Sequence, residues 1–287
     1  MSDKHVDEVS GVETTGHVWD GIRELNNPLP RWWLWTFYAT IVWAIGYVVL
    51  YPAIPLVSGN TKGMLGYSSR GDVAQELSAA KAAQGVLVEQ IAQTPISEIE
   101  ANPELLQFAI AGGSAAFKVN CVQCHGSGAQ GFEGYPNLND DDWLWGGSID
   151  EIYTTITHGI RNGQDDDARF SEMPAFGDML EPGQIREVAA YVASLSGTPS
   201  DEALVEPGKV VFEENCVACH GDNAQGDKEF GAPNLADAIW LYNGTEAGIA
   251  SQARNPKHGV MPAWGSRLGD ATVKQLAVFV HSLGGGQ

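Results

Sequence analysis

The string Cys-x-x-Cys-His occurs twice in this 287-residue chain, as Cys121-Val-Gln-Cys124-His125 and Cys216-Val-Ala-Cys219-His220, and the two copies use all 4 cysteines. Two cysteines three positions apart face the same side of one helical turn, so both sulfurs reach the vinyl groups of a single porphyrin, and the next histidine reaches its iron. The motif predicts two covalently bound haem c groups, attached through Cys121 and Cys124 and through Cys216 and Cys219, with His125 and His220 as fixed iron ligands. Disulfides across such short loops would staple almost nothing, because loop-closure stabilisation grows with loop length. A thioredoxin-like pair needs no histidine after its second cysteine, and a zinc site drawing one pair from each copy would leave both histidines idle.

Downstream of each motif stands Met-Pro-Ala-aromatic-Gly, beginning at Met173 and at Met261. A thioether on a proline-stiffened loop suits the sixth position of haem iron, because soft sulfur favours the ferrous state and raises the potential. Sequence order pairs His125 with Met173 and His220 with Met261. Both irons are then six-coordinate and closed to small substrates, which leaves electron transfer as the chemistry and assigns no catalytic residue. Met64 and Met179, whose surroundings do not recur, read as gap fillers. His158, and His258 three residues before Met261, are the alternative ligands that would make a bis-histidine haem of lower potential. A histidine beside a haem loop is more often a hydrogen-bond or propionate neighbour. His281 reads as a structural or surface residue.

The duplication extends beyond the ligands. Gly113 and Phe117 precede the first motif as Gly208 and Phe212 precede the second, Pro-Asn-Leu recurs at 136–138 and 233–235, and Trp143 recurs as Trp240. An apolar run follows each methionine, one containing Tyr191 and the other Phe279. Both halves resemble class I cytochromes c, in which the first and last helices cross at a small residue beside paired aromatics. That resemblance places Gly113 and Phe117 against Tyr191, and Gly208 and Phe212 against Phe279. The expected fold is all-α, with one N-terminal transmembrane helix followed by two tandem class I cytochrome c-like domains at 108–200 and 201–287.

The transmembrane segment begins at Trp32. The run to Tyr51 has 20 residues and no charge, long enough to span a bilayer core of about 30 Å, with Trp32, Trp33 and Trp35 at one end and Tyr47 and Tyr51 at the other. A cleaved signal peptide fits poorly, since 31 residues, among them 6 acidic and 3 basic ones, precede a stretch too long for that purpose. The reading is a tail at 1–31, a retained anchor at 32–57 and a helical connector at 58–107, helical from Asp72 to Gln93, broken at Thr94-Pro95 and restarted at Pro103. The whole chain has 16 basic and 36 acidic residues, and the part beyond the tail keeps a net charge of −17. Such a field repels nucleic acid and anionic lipid and steers a basic redox partner, with the aspartate runs at 140–142 and 165–167 as candidate docking edges.

The string Glu24-Leu-Asn-Asn-Pro-Leu-Pro-Arg-Trp-Trp33, the aromatic anchor ending in Tyr51-Pro52 and the tandem haem motifs together resemble subunit III of cbb3-type cytochrome c oxidases, the CcoP or FixP family, from about Val18 to the C-terminus. The resemblance implies a single-pass subunit of the bacterial inner membrane, with a cytoplasmic N-terminus and periplasmic haem domains. It implies a non-catalytic role in a proton-pumping terminal oxidase: electrons pass from a soluble or membrane-bound cytochrome c, or from the bc1 complex, to a monohaem cytochrome c subunit. From there they reach a catalytic subunit holding haem b and copper. The rival readings are a free-standing membrane-tethered dihaem shuttle similar to cytochrome c4, and a dihaem peroxidase.

Overall fold

A computed structural model describes residues 5–285 as a mostly helical chain that divides into two compact units on either side of residue 81. The N-terminal unit opens with an antiparallel hairpin of β1 (Thr14–Trp19) and β2 (Ile22–Leu25). Its turn is Asp20-Gly21, both in the left-handed region at φ 48° and 84°, the pairing that two-residue hairpin turns favour. The hairpin lies within the tail at 1–31, where no element was expected.

Helix α1 (Arg31–Leu50) buries none of its residues within the chain. A helix apolar on every side has no solvent face, so its surroundings are lipid or the apolar face of another subunit. The anchor is shorter than the expected 32–57. Pro52 pushes the residue before it out of the helical region, and Tyr51 is accordingly extended at φ −115° and ψ 161°. The following residues form a two-residue ladder, β3 (Pro55–Leu56) against β4 (Gly59–Asn60).

Helix α2 (Ser69–Gln93) fills the connector, with Ile91 its one buried residue. A short turn, α3 (Ile96–Ile99), and the longer helix α4 (Pro103–Asn120) follow. Helix α4 starts where proline costs no hydrogen bond, and the Asn102 side chain caps it by accepting from the backbone N–H of Glu104 (3.0 Å) and Leu105 (3.3 Å).

The C-terminal unit contains, in order, α5 (Val122–His125), α6 (Ile149–His158), α7 (Pro182–Ser196), α8 (Val205–Asn215), α9 (Val217–His220), α10 (Glu246–Arg254), α11 (Gly265–Leu268) and α12 (Asp270–His281). They build two hydrophobic cores, and these do not follow chain order. In the first core, Phe117 of α4, Ile152 and Ile156 of α6 and Leu276 and Val280 of α12 are buried together. In the second, Val188 and Val192 of α7 pack on Val211 and Phe212 of α8 and on Ile249 of α10.

The terminal helices of the two copies are therefore exchanged. Helix α4 crosses α12, and α8 crosses α7. A Cβ on Gly113 would collide with the Gln275 carbonyl and lie 2.6 Å from Phe279 Cβ; one on Gly208 would collide with the Glu187 carbonyl and lie 2.9 Å from Tyr191 Cβ. The aromatic pairs are Phe117 with Phe279 (centroids 5.4 Å apart) and Phe212 with Tyr191 (5.3 Å), the reverse of the expected partners. The boundary expected at residue 200 thus falls inside the second core. That core is a continuous segment set between two parts of the first.

The physical reason lies in the similarity of the copies. Two homologous C-terminal helices present equivalent faces, so exchanging them keeps the same types of contact, and local pairings decide the outcome. Ile160 and Met261 exchange two backbone hydrogen bonds, each 3.0 Å. Asn162 Nδ2 donates to the Met261 carbonyl at 3.2 Å and the Trp264 N–H to the Ile156 carbonyl at 3.0 Å. Gly159, at φ 73°, lets these strands meet, since any Cβ there would strike the same Met261 carbonyl. Tyr153 of α6 then reaches Asp270 of α12 at 2.5 Å.

Candidate haem-binding sites

Each Cys-x-x-Cys-His string forms a single helical turn at the end of the helix before it. The His125 N–H donates to the Cys121 carbonyl (2.9 Å) and the His220 N–H to that of Cys216 (3.0 Å), and Gly126 and Gly221 end the turns in the left-handed region at φ 79° and 76°. The turns edge two cavities of about 460 and 360 Å³, within the size range of cofactor sites. The larger contains Cys121, Cys124 and His125, the smaller Cys216, Cys219 and His220.

In both, the carbonyl of the recurring Pro-Asn-Leu element faces the histidine. His125 Nδ1 lies 3.1 Å from the Pro136 oxygen and His220 Nδ1 3.1 Å from that of Pro233. A carbonyl only accepts, so Nδ1 carries the proton and the Nε2 lone pair is left for a metal. Burial lowers the pKa of both imidazoles, which keeps them in the neutral, ligating form. Burial also pushes the Cys121 and Cys216 thiols up to about 11, the reverse of the depressed value of a redox-active pair.

The exchange of helices carries the methionines with it. Met261 lines the cavity of His125, and Met173 lines that of His220. The pairs expected from sequence order, His125 with Met173 and His220 with Met261, are not brought together; the crossed pairs are. Two further groups suit a porphyrin in the larger cavity. Trp145 Nε1 and Thr155 Oγ1 line it, both buried and without a hydrogen-bond partner, as polar atoms awaiting a ligand would be. Sequence reading missed both, together with the proline carbonyls; only the recurrence of Pro-Asn-Leu hinted at the latter.

Residues 11–58 match the family model of the N-terminal domain of cytochrome oxidase cbb3, FixP, and residues 108–192 and 203–280 match that of cbb3-type cytochrome c oxidase subunit III. The chain belongs to the cbb3 subunit III family. It is 65% identical over 284 residues to the cbb3-type cytochrome c oxidase subunit FixP of Sinorhizobium medicae, covering 99% of this chain and 98% of the relative. It is 54% identical over 276 residues to the CcoP subunit of Cereibacter sphaeroides, covering 96% and 95%. The matched cytochrome segments follow sequence order, whereas this subunit III chain folds them with their last helices exchanged.

The alternative ligands separate clearly in this subunit III structure. His158 lies outside both cavities and turns Nδ1 toward Asp165 at 3.1 Å. His258 lines the smaller cavity beside His220 and Met173, and His281 bonds Glu100 at 2.7 Å.

Asp142, on the wall of the larger cavity, has its pKa raised to about 6 by burial, with Asp237 and Asp140 adding to the rise and Lys228 opposing it. A carboxyl that binds its proton more tightly when folded than the ordinary 3.8 contributes stability at low pH, which is lost as pH rises from about 4 through about 6. Asp142→Asn is expected to raise the thermal midpoint at pH 7.5 and to leave it unchanged at pH 4. Parallel melts of the two proteins at both pH values check this.

Proposed function

We propose that this chain is the electron-relay subunit of a cbb3-type oxidase, holding two covalently attached haem c groups, one at each cavity. The carrying observation is that the two cavities share a wall: Leu144, Arg161, Leu241 and Gly259 line both. A bound haem supplies an iron that alternates between ferrous and ferric states. The chain's own residues do the rest. Cys121, Cys124, Cys216 and Cys219 would tether the two groups, His125 and His220 would ligate iron through Nε2, and Met261 and Met173 respectively would supply sulfur. Fixed ligands in both redox states would keep reorganisation small, and Phe117 and Phe212, which line the larger and the smaller cavity, exclude water and favour the less charged ferrous form.

Membership of the family makes other oxidase subunits the partners. In the proposed assembly these are a monohaem cytochrome c subunit and an oxygen-reducing subunit with haem b and copper. A cytochrome c or the bc1 complex serves as donor, steered by the acidic surface. The anchor is proposed to cross the bacterial inner membrane once, with its N-terminus cytoplasmic and the cavities in the periplasm. Purification in mild detergent is expected to bring down haem b and copper in stoichiometric amounts; a lone dihaem chain would support the free-standing shuttle instead. Ready carbon monoxide binding by the reduced chain at full haem content would support the peroxidase reading.

A further inference from the structure

Outside both cavities, a cluster of three side chains has the ligand chemistry of a metal site. His158 Nδ1, a carboxylate oxygen of Asp165 and one of Asp167 all lie within 4.8 Å of one another. Nδ1 is 3.1 Å from Asp165 Oδ1 and 3.2 Å from Oδ2. Two ligands of a tetrahedral zinc ion stand about 3.4 Å apart when their bonds are about 2.1 Å long, so this pair is already near coordinating separation. Asp167 is exposed, which leaves its carboxylate free to swing through the remaining distance.

A run of aspartates is by itself a solvated loop. Here an imidazole from another element is turned into the run. His158 is the last residue of α6, where the carbonyl end of the helix carries partial negative charge that favours a cation on the ring. Asp165 is held in place as a ligand: the Asp167 N–H donates to its Oδ1 at 2.9 Å and keeps the carboxyl below its ordinary pKa, and His158 adds to the effect. Three consecutive carboxylates in a chain of net charge −20 also gain from a divalent counter-charge. One imidazole with two carboxylates suits zinc, which takes nitrogen and oxygen alike, better than calcium or magnesium, which prefer oxygen throughout.

The loop that carries these ligands also holds the methionine of the larger cavity. Asn162 Nδ2 donates to the His158 carbonyl at 2.8 Å and to the Met261 carbonyl at 3.2 Å, and Ile160 exchanges its two backbone hydrogen bonds with Met261. The Arg169 N–H donates to the Gly159 carbonyl at 3.1 Å and closes the loop on itself. We propose that His158, Asp165 and Asp167 bind one zinc ion outside the haem cavities, and that the ion clamps this loop and with it the backbone of Met261. The ion forms one bond to nitrogen and two to oxygen, with water in the fourth position. A carboxylate only accepts, so without the ion Nδ1 carries the proton; on binding, zinc takes the Nδ1 lone pair and the proton moves to Nε2.

The test is equilibrium dialysis of the full-length, haem-loaded chain in detergent against zinc chloride at neutral pH. His158→Gln and Asp167→Asn are each expected to weaken zinc binding by at least about tenfold, the lower end of what even an outer-shell change costs a metal site. Asp141→Asn, which removes the same charge from the other aspartate run, is expected to leave it unchanged, and excess calcium is expected not to displace the ion. Asp167 is exposed, so its variant reads the site even if the histidine variant misfolds. Hydrogen exchange followed by mass spectrometry reads the clamp: zinc is expected to slow exchange at the Ile160 and Met261 amides of the unaltered chain and not of Asp167→Asn. Equal zinc affinity in all three variants, or displacement by calcium, overturns the site. Zinc bound through His158 and Asp167 with no change at those two amides overturns the clamp.

Discussion

Replacing Met261 by histidine is expected to lower the midpoint potential of the haem attached at Cys121 and Cys124 and to leave the one at Cys216 and Cys219 where it was. The direction comes from ligand chemistry. Thioether sulfur stabilises ferrous iron, whereas imidazole is a better partner for ferric iron, and axial ligands as a class move haem potentials over roughly 0.8 V, so a drop on the order of 0.1 V or more is expected. The address comes from packing, since Met261 shares its cavity with His125 and not with His220. Assigning the shift requires a single-haem background. In Cys216→Ala/Cys219→Ala protein, Met261→His should still lower the one remaining potential, whereas Met173→His should leave it alone. The opposite pattern would restore the pairing read from sequence order and remove the exchange of helices with it.

That contrast marks how far the sequence could be read. Cys-x-x-Cys-His, Met-Pro-Ala and the paired glycines are local signals, each carrying its chemistry within a few residues, and the structure sets the first two around two cavities and the glycines at the two helix crossings. Which copy of a helix packs on which is a different question. Gly113 and Gly208 each receive a backbone carbonyl and an aromatic four residues on, Gln275 and Phe279 from α12 or Glu187 and Tyr191 from α7, so the choice rests on contacts such as Ile160 with Met261 that no periodicity reveals. The Asp20-Gly21 turn was legible in principle, a favoured hairpin dipeptide between Val18-Trp19 and Ile22, but it sits in the segment at 1–31 that was read only as a tail. Arg161 and Trp145 carry no motif at all. Arg161 is seen on the wall of both cavities, and Trp145 on that of the larger, only once the fold is known.

Gly113→Leu is expected to damage one site and spare the other. Helices α4 and α12 approach so closely at this position that a Cβ has no room between the Gln275 carbonyl and the Phe279 side chain, and backbone cannot rotate away as a flexible side chain would. Overpacking of this kind costs about 1–3 kcal/mol, and more where rigid backbone must move. The displaced element is α12, which follows the Met261 loop through α11, so the sulfur ligand of the first site is lost with the crossing. The α7 and α8 crossing at Gly208 is built from other residues and stays closed. Thermal unfolding should then split into two transitions, and the reduced variant should bind carbon monoxide at one haem of two. In a chain folded as two sequential domains the same leucine would press on α7 and release Met173, so Met173→His, silent at the first haem here, would there have altered it. Combining Gly113→Leu with each methionine variant separates the two architectures without a structure: only under the exchanged fold does adding Met173→His lower the potential of the still-closed haem at Cys216 and Cys219 while adding Met261→His leaves it unchanged.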